Sequence, residues 1–110
     1  DPKKIQSVIE RAARQGLLHR VAEGRYFLPQ TVRTLAEVAE RITRKNVPHR
    51  MTAAEFRDQT SLGRNLAIEV LEFFDRVKFT RRVGDAREVV RSADQVFVAS
   101  PQQQSRAGGA

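Results

Sequence analysis

The strongest constraint on this chain is that it repeats itself. A shift of 62 residues lays Val8 on Val70, Glu10 on Glu72, Arg14 on Arg76, Arg20 on Arg82, Val21 on Val83 and Arg25 on Arg87. Hydrophobic class is kept as well: Ile9 meets Leu71, Leu17 meets Phe79, Phe27 meets Val89 and Leu28 meets Val90, all without a gap. Two unrelated amphipathic helices would share some of these matches by chance, but not also the turns that follow them. Copies of one supersecondary module are therefore expected in tandem.

The second copy shows what the module is. Leu62, Leu66, Val70 and Phe74, joined by Ala67, Leu71 and Val77, recur at spacings of three and four, one apolar stripe of a helix. Ser61 precedes it and is the expected cap. The period then changes. Phe79 to Val83 and Arg87 to Arg91 are β-type runs around Gly84-Asp85-Ala86, where glycine permits a tight reversal. The first copy has the same plan, with a helix over Ile5, Val8, Ile9, Ala12 and Ala13 behind Asp1-Pro2, then two β-type runs around Ala22-Glu23-Gly24.

In front of the second copy, Thr31 to about Asn46 reads as a helix with Val32, Leu35, Val38, Ala39 and Ile42 on one face, ended by Pro48. Met51-Thr52 is a minimal strand, and Thr52 caps a short helix with Glu55 completing a capping box. The order over residues 30 to 91 is helix, helix, turn, helix, hairpin, which is a complete winged helix-turn-helix. The fold class expected is mainly α with small β-hairpins (α+β), a tandem winged helix whose first copy is incomplete. Residues 1–29 are read as the back half of a preceding module in a longer array, with their apolar face packed on the second module or a partner. Residues 92–110 are read as a tail, largely disordered after 100, in which Val96-Phe97-Val98 adds an edge strand or docks on a helix.

Composition narrows the function classes. A net charge of +7 and a pI near 11.0 favour an anionic partner. Cysteine is absent, which removes disulfides and thiolate metal sites. No apolar run is long enough for a membrane span and no signal peptide opens the chain, so a cytoplasmic protein without membrane contact is expected, and it is read as a monomer. No phosphate-cradling glycine loop, nucleophile elbow or metal signature occurs, and His19 and His49 stand alone, so neither an enzyme nor a cofactor is expected within this stretch.

Charge along the long helix places the contact. Glu69, Glu72 and Asp75 read as a solvated acidic face that would be repelled in a DNA major groove. Contact is expected instead at the helix start, Arg64 and Asn65, where backbone amides and the helix dipole favour phosphate. The wing supplies the rest. From Lys78 to Arg91 the basic residues are Lys78, Arg81, Arg82, Arg87 and Arg91. Arg82 is the cleaner surface contact, Arg81 lies along the sheet edge, and Arg87 is balanced between contact and an ion pair with Asp85 across the turn. His49 and Arg50 join this surface or are loop residues.

The segment AEFRDQTSLGRNLAIEVLEFFDRVKFTRRVGDAREV resembles the C-terminal winged-helix array of the bacterial selenocysteine-specific elongation factor SelB. The resemblance covers residues 30 to 91 well, and residues 1 to 29 as the end of the preceding winged helix. It implies an array behind a GTPase, with GTP and Mg as that parent's cofactors. It also implies terminal modules that bind the selenocysteine insertion hairpin of messenger RNA, with the ribosome and selenocysteyl-tRNA as partners of the whole protein. Carried onto this chain, the matching positions are Arg64, Arg81, Arg82 and Arg87. Asn65 departs from the pattern where a basic residue is expected. So does Lys78, where the helix usually ends in glycine; it must take a helix-stop conformation or lengthen the helix. A compact patch of helix start plus wing suits a splayed loop base between phosphates, as in RNA hairpins. The alternatives are a DNA-binding winged-helix transcription regulator and a winged-helix protein-interaction module.

Overall fold

A computed structural model describes residues 1–98. The elements in chain order are α1 (Pro2–Arg14), β1 (His19–Ala22), β2 (Arg25–Phe27), α2 (Pro29–Lys45), β3 (Met51–Thr52), α3 (Ala53–Thr60), α4 (Arg64–Arg76), β4 (Thr80–Val83), β5 (Ala86–Val89) and α5 (Ala93–Val96). β1 and β2 form an antiparallel hairpin, and the second sheet has the order β3-β5-β4. Helix, strand, helix, helix and hairpin over α2 to β5 are the parts of a winged helix, with the sheet closed by the minimal strand that precedes α3.

The repeat is preserved in the backbone. The 62-residue shift carries the bounds of α1, Pro2 and Arg14, onto those of α4, Arg64 and Arg76. Both helices end alike: the Leu17 amide donates to the Ala12 carbonyl at 2.9 Å, and the equivalent Phe79 amide donates to the Phe74 carbonyl at 3.0 Å. This closure needs a left-handed residue just before it. Gly16 supplies it in the first copy at φ 79°, and Lys78 supplies it in the second at φ 66°. Lys78 thus takes the helix-stop conformation rather than lengthening the helix. The turns, expected in register, are one residue apart. Val83 pairs with Ala86 around Gly84-Asp85, whereas Ala22 pairs with Arg25 around Glu23-Gly24, and an irregularity between Arg20 and Ala22 absorbs the difference.

Two local expectations change. Ser61 does not cap α4; it sits in the left-handed region (φ 59°, ψ 19°) as the C-cap of α3, and the N-cap of α4 is Gly63, which has no side chain to cap with. The segment after β5 stays with the module through residue 98. α5 starts with a capping box of Ser92 and Gln95, and Phe97 docks into the core rather than adding a strand. The reading of residues after 100 as disordered lies outside the described residues. The capping box of Thr52 and Glu55 is present as expected.

The core sits between α2, α3, α4 and the sheet. Phe74 is fully buried, its ring centroid 5.0 Å from Phe79, 5.6 Å from Phe97 and 6.1 Å from Phe56. Tilted and edge-to-face pairs of this kind add about 0.5–1.5 kcal/mol each beyond burial. The first hairpin packs on α4. Val21 is buried, and Arg76 donates to its carbonyl at 2.7 Å. Arg25 pairs with Glu69 at 2.6 Å, and the His19 ring lies 5.8 Å from Phe73 and 6.0 Å from Phe97. No residue of α1 is fully buried; Ile9, Ala12 and Ala13 are half-buried, while Ile5 and Val8 are 61% and 63% exposed.

Candidate nucleic-acid interface

Arg64 opens α4, and no acidic residue sits in that first turn. Gly63 leaves the leading amides without a side-chain partner, so they and the helix dipole present positive potential beside an exposed guanidinium. Asn65 is exposed next to it. A depression of about 250 Å³ lies here, lined by Arg64, Arg57, Ala53 and Ile68 among others.

At the wing, Arg81 and Arg82 are both exposed. Arg81 reaches across to its neighbour strand and donates to Glu88 at 2.6 Å, and Arg50 approaches the same carboxylate at 3.5 Å. The Arg81 hydrogen bond, with Arg50 behind it, holds the Glu88 carboxyl below its ordinary range. Arg82 donates from Nε to the Gly84 carbonyl at 3.1 Å, which steadies its stem on an exposed side chain. Arg87 differs from both. It is 6% exposed and donates from Nε to both oxygens of Asp75, at 3.1 and 3.3 Å. Its partner is Asp75 on α4, not Asp85 across the turn, and the pair ties the wing to the helix.

The acidic face is likewise not simply solvated. Glu69 is taken by Arg25 and Asp75 by Arg87, while Glu72 alone of the three is exposed. Thr80, buried at the base of the wing, also donates to Asp75 at 2.5 Å.

The structure gathers part of the expected set and separates the rest. Lys78, Arg81, Arg82 and Arg91 line one concavity of about 500 Å³. Arg64 lies at the far end of α4 from Lys78, about 20 Å along a helix of 13 residues, and lines a different depression. The expected compact patch is therefore two surfaces. His49 joins a third group. Its Nδ1 donates to the Thr43 carbonyl at 2.9 Å, and it shares a concavity of about 420 Å³ with Arg44 and Arg91. Arg44 is absent from the residues singled out by sequence; nothing in α2 signals that its last turn lies beside the end of β5. Among the described residues no cluster of three His, Cys, Asp or Glu gathers as a metal site, and no helix is long and apolar enough to cross a membrane.

Topology, the tandem hairpins and the basic wing define a winged-helix protein. The family model described as "Elongation factor SelB, winged helix" matches residues 40–89. Among curated proteins, the chain is 33% identical over 85 residues to the selenocysteine-specific elongation factor of Escherichia coli (strain K12), a match covering 77% of this chain and 14% of that protein. The selenocysteine-specific elongation factor of Desulfomicrobium baculatum is 30% identical over 87 residues, covering 79% of this chain and 13% of that protein. A solved structure, the mRNA-binding domain of elongation factor SelB from E. coli in complex with SECIS RNA, superposes with a TM-score of 0.76 at 31% identity, covering 81% of this chain and 72% of that one. The chain belongs to the SelB winged-helix family, and it spans about one-seventh of the length of the curated relatives it matches.

Proposed function

We propose that this chain is an RNA-binding part of a selenocysteine-specific translation elongation factor, and that it recognises the selenocysteine insertion hairpin of messenger RNA. The observation that carries this reading is its likeness, across 81% of its length, to a domain solved in complex with SECIS RNA. The charge distribution supports it. Exposed cations without an acidic partner among the described residues sit at the start of α4 and on the wing, Arg64 and Arg82, while further along α4 Glu69 and Asp75 are held in ion pairs and Glu72 is exposed. Such a surface suits phosphates flanking a loop better than base edges along a duplex groove. The whole protein would add a GTPase with GTP and Mg, and would meet the ribosome and selenocysteyl-tRNA in the cytoplasm.

The test is a titration of a short hairpin carrying a loop and a bulge against a DNA duplex of equal charge at physiological salt. Preference for the hairpin, reduced by Arg64→Ala and by Arg82→Ala with the fold intact, is expected. Equal binding of both would leave only non-specific charge attraction. Affinity indifferent to salt and to Arg82→Glu would point to a protein partner instead.

A further inference from the structure

The concavity at the wing and the one beside His49 are neighbours. Val90 and Arg91 line both, one after the other along the chain leaving β5. The two concavities therefore adjoin across Val90 and Arg91, with Lys78 and Arg82 on the wing side and Arg44, at the last turn of α2, on the other. Their acids are engaged. Asp75 accepts from Arg87 and Thr80, and Glu40 accepts from the Ala93 amide at 3.0 Å. Their cations are not: Lys78, Arg91 and Arg44 have no acidic partner among the described residues, and all three are exposed. Val90, 43% exposed, forms an aliphatic saddle between them.

The geometry points to a track for single-stranded RNA flanking the hairpin, bound by its phosphates. A positively charged groove that follows a backbone is half of what non-specific single-strand binders use. The other half, aromatic side chains for base stacking, is nearly absent: no Phe or Tyr lines either concavity, and the one ring present, His49, is tied through Nδ1 to the Thr43 carbonyl. The track should therefore add affinity without reading sequence, and that affinity should be sensitive to salt. This inference rests on the RNA-binding reading above and assigns it a second surface, away from the start of α4.

The experiment compares two RNAs by fluorescence anisotropy, the minimal hairpin and the same hairpin with a single-stranded extension of several nucleotides, placed on the 5′ side in one probe and the 3′ side in another. The readout is the ratio of extended to minimal affinity, so a loss common to both cancels. One of the two extensions should improve affinity about three- to tenfold, whichever bases it contains. Arg44→Ala with Arg91→Ala should bring the ratio to about one. The salt slope for the extended probe should also fall by roughly 0.7 for each phosphate that the double variant no longer neutralises. A hairpin that binds with no gain from either extension refutes the track and leaves the hairpin reading standing, as does a gain that survives the double substitution. A gain that depends on the bases of the extension also overturns the proposal, because it requires readout that this groove does not offer. If an acidic peptide competes for the groove while the extensions add nothing, the surface belongs to a protein. If the hairpin itself does not bind, both readings fall together.

Discussion

Arg87→Met separates a structural arginine from a contact arginine. The guanidinium is 6% exposed and donates to both oxygens of Asp75, whose side chain is 28% exposed. Removing one partner of a fully buried pair costs about 3–5 kcal/mol. Here Asp75 keeps the Thr80 hydroxyl and some solvent, and methionine keeps most of the stem volume, so about 2–3 kcal/mol is expected. For a domain of this size each kcal/mol moves Tm by roughly 4–8 °C, which places the variant roughly 10–20 °C below wild type. Thermal melts of Arg87→Met, Asp75→Asn and the double variant would give the coupling, expected at about 1–3 kcal/mol. RNA affinity measured well below either melting temperature should stay within about twofold. If Arg87→Met melts within about 0.5 kcal/mol of wild type and loses RNA affinity, Arg87 is a contact residue and not a structural one.

Three further outcomes follow from the same geometry. Lys78→Gly relieves a lysine at φ 66° and should raise stability by up to about 1 kcal/mol, whereas Gly16→Ala at φ 79° should lower it similarly, both by thermal melt. Burial between Phe73 and Phe97 lowers the pKa of His19, so the unfolded chain binds that proton more readily. Stability should then fall as pH drops from 7 through 6.5, and His19→Phe, which keeps a ring in place, should flatten that part of the curve. Val70→Ala should cost about 2 kcal/mol, while the repeat-equivalent Val8→Ala should change Tm little, because Val70 is 1% and Val8 63% exposed.

Periodicity made much of this fold legible. The α4 stripe, the Thr52 box and the hairpin glycines each act over four residues or fewer, and the repeat doubled every local signal. What sequence did not reveal depends on contacts between distant segments. Arg87 is opposed to Asp75 only because the wing folds back along the last turn of α4; two residues from Asp85, it read as a turn pair. Phe97 read as part of a dissolving tail, yet it closes the aromatic cluster of Phe73, Phe74 and Phe79. Ser61 looked like a cap by type, but the chain needed a left-handed residue to leave α3, which left the cap position to Gly63. Of the candidate site, Arg82 is exposed on the wing, and Arg64 is exposed but apart from it. Arg44 became visible only when α2 was seen beside the end of β5.

The central claim is that RNA meets the start of α4 and the wing while the rest of α4 is scaffold. Amide chemical shifts of the labelled protein, followed through a titration with the insertion hairpin, test it most directly. Shifts concentrated at Arg64-Asn65 and along residues 80–85, with Val70 to Phe74 unmoved, are the predicted result. Shifts running down the middle of α4, or confined to α1, would contradict it.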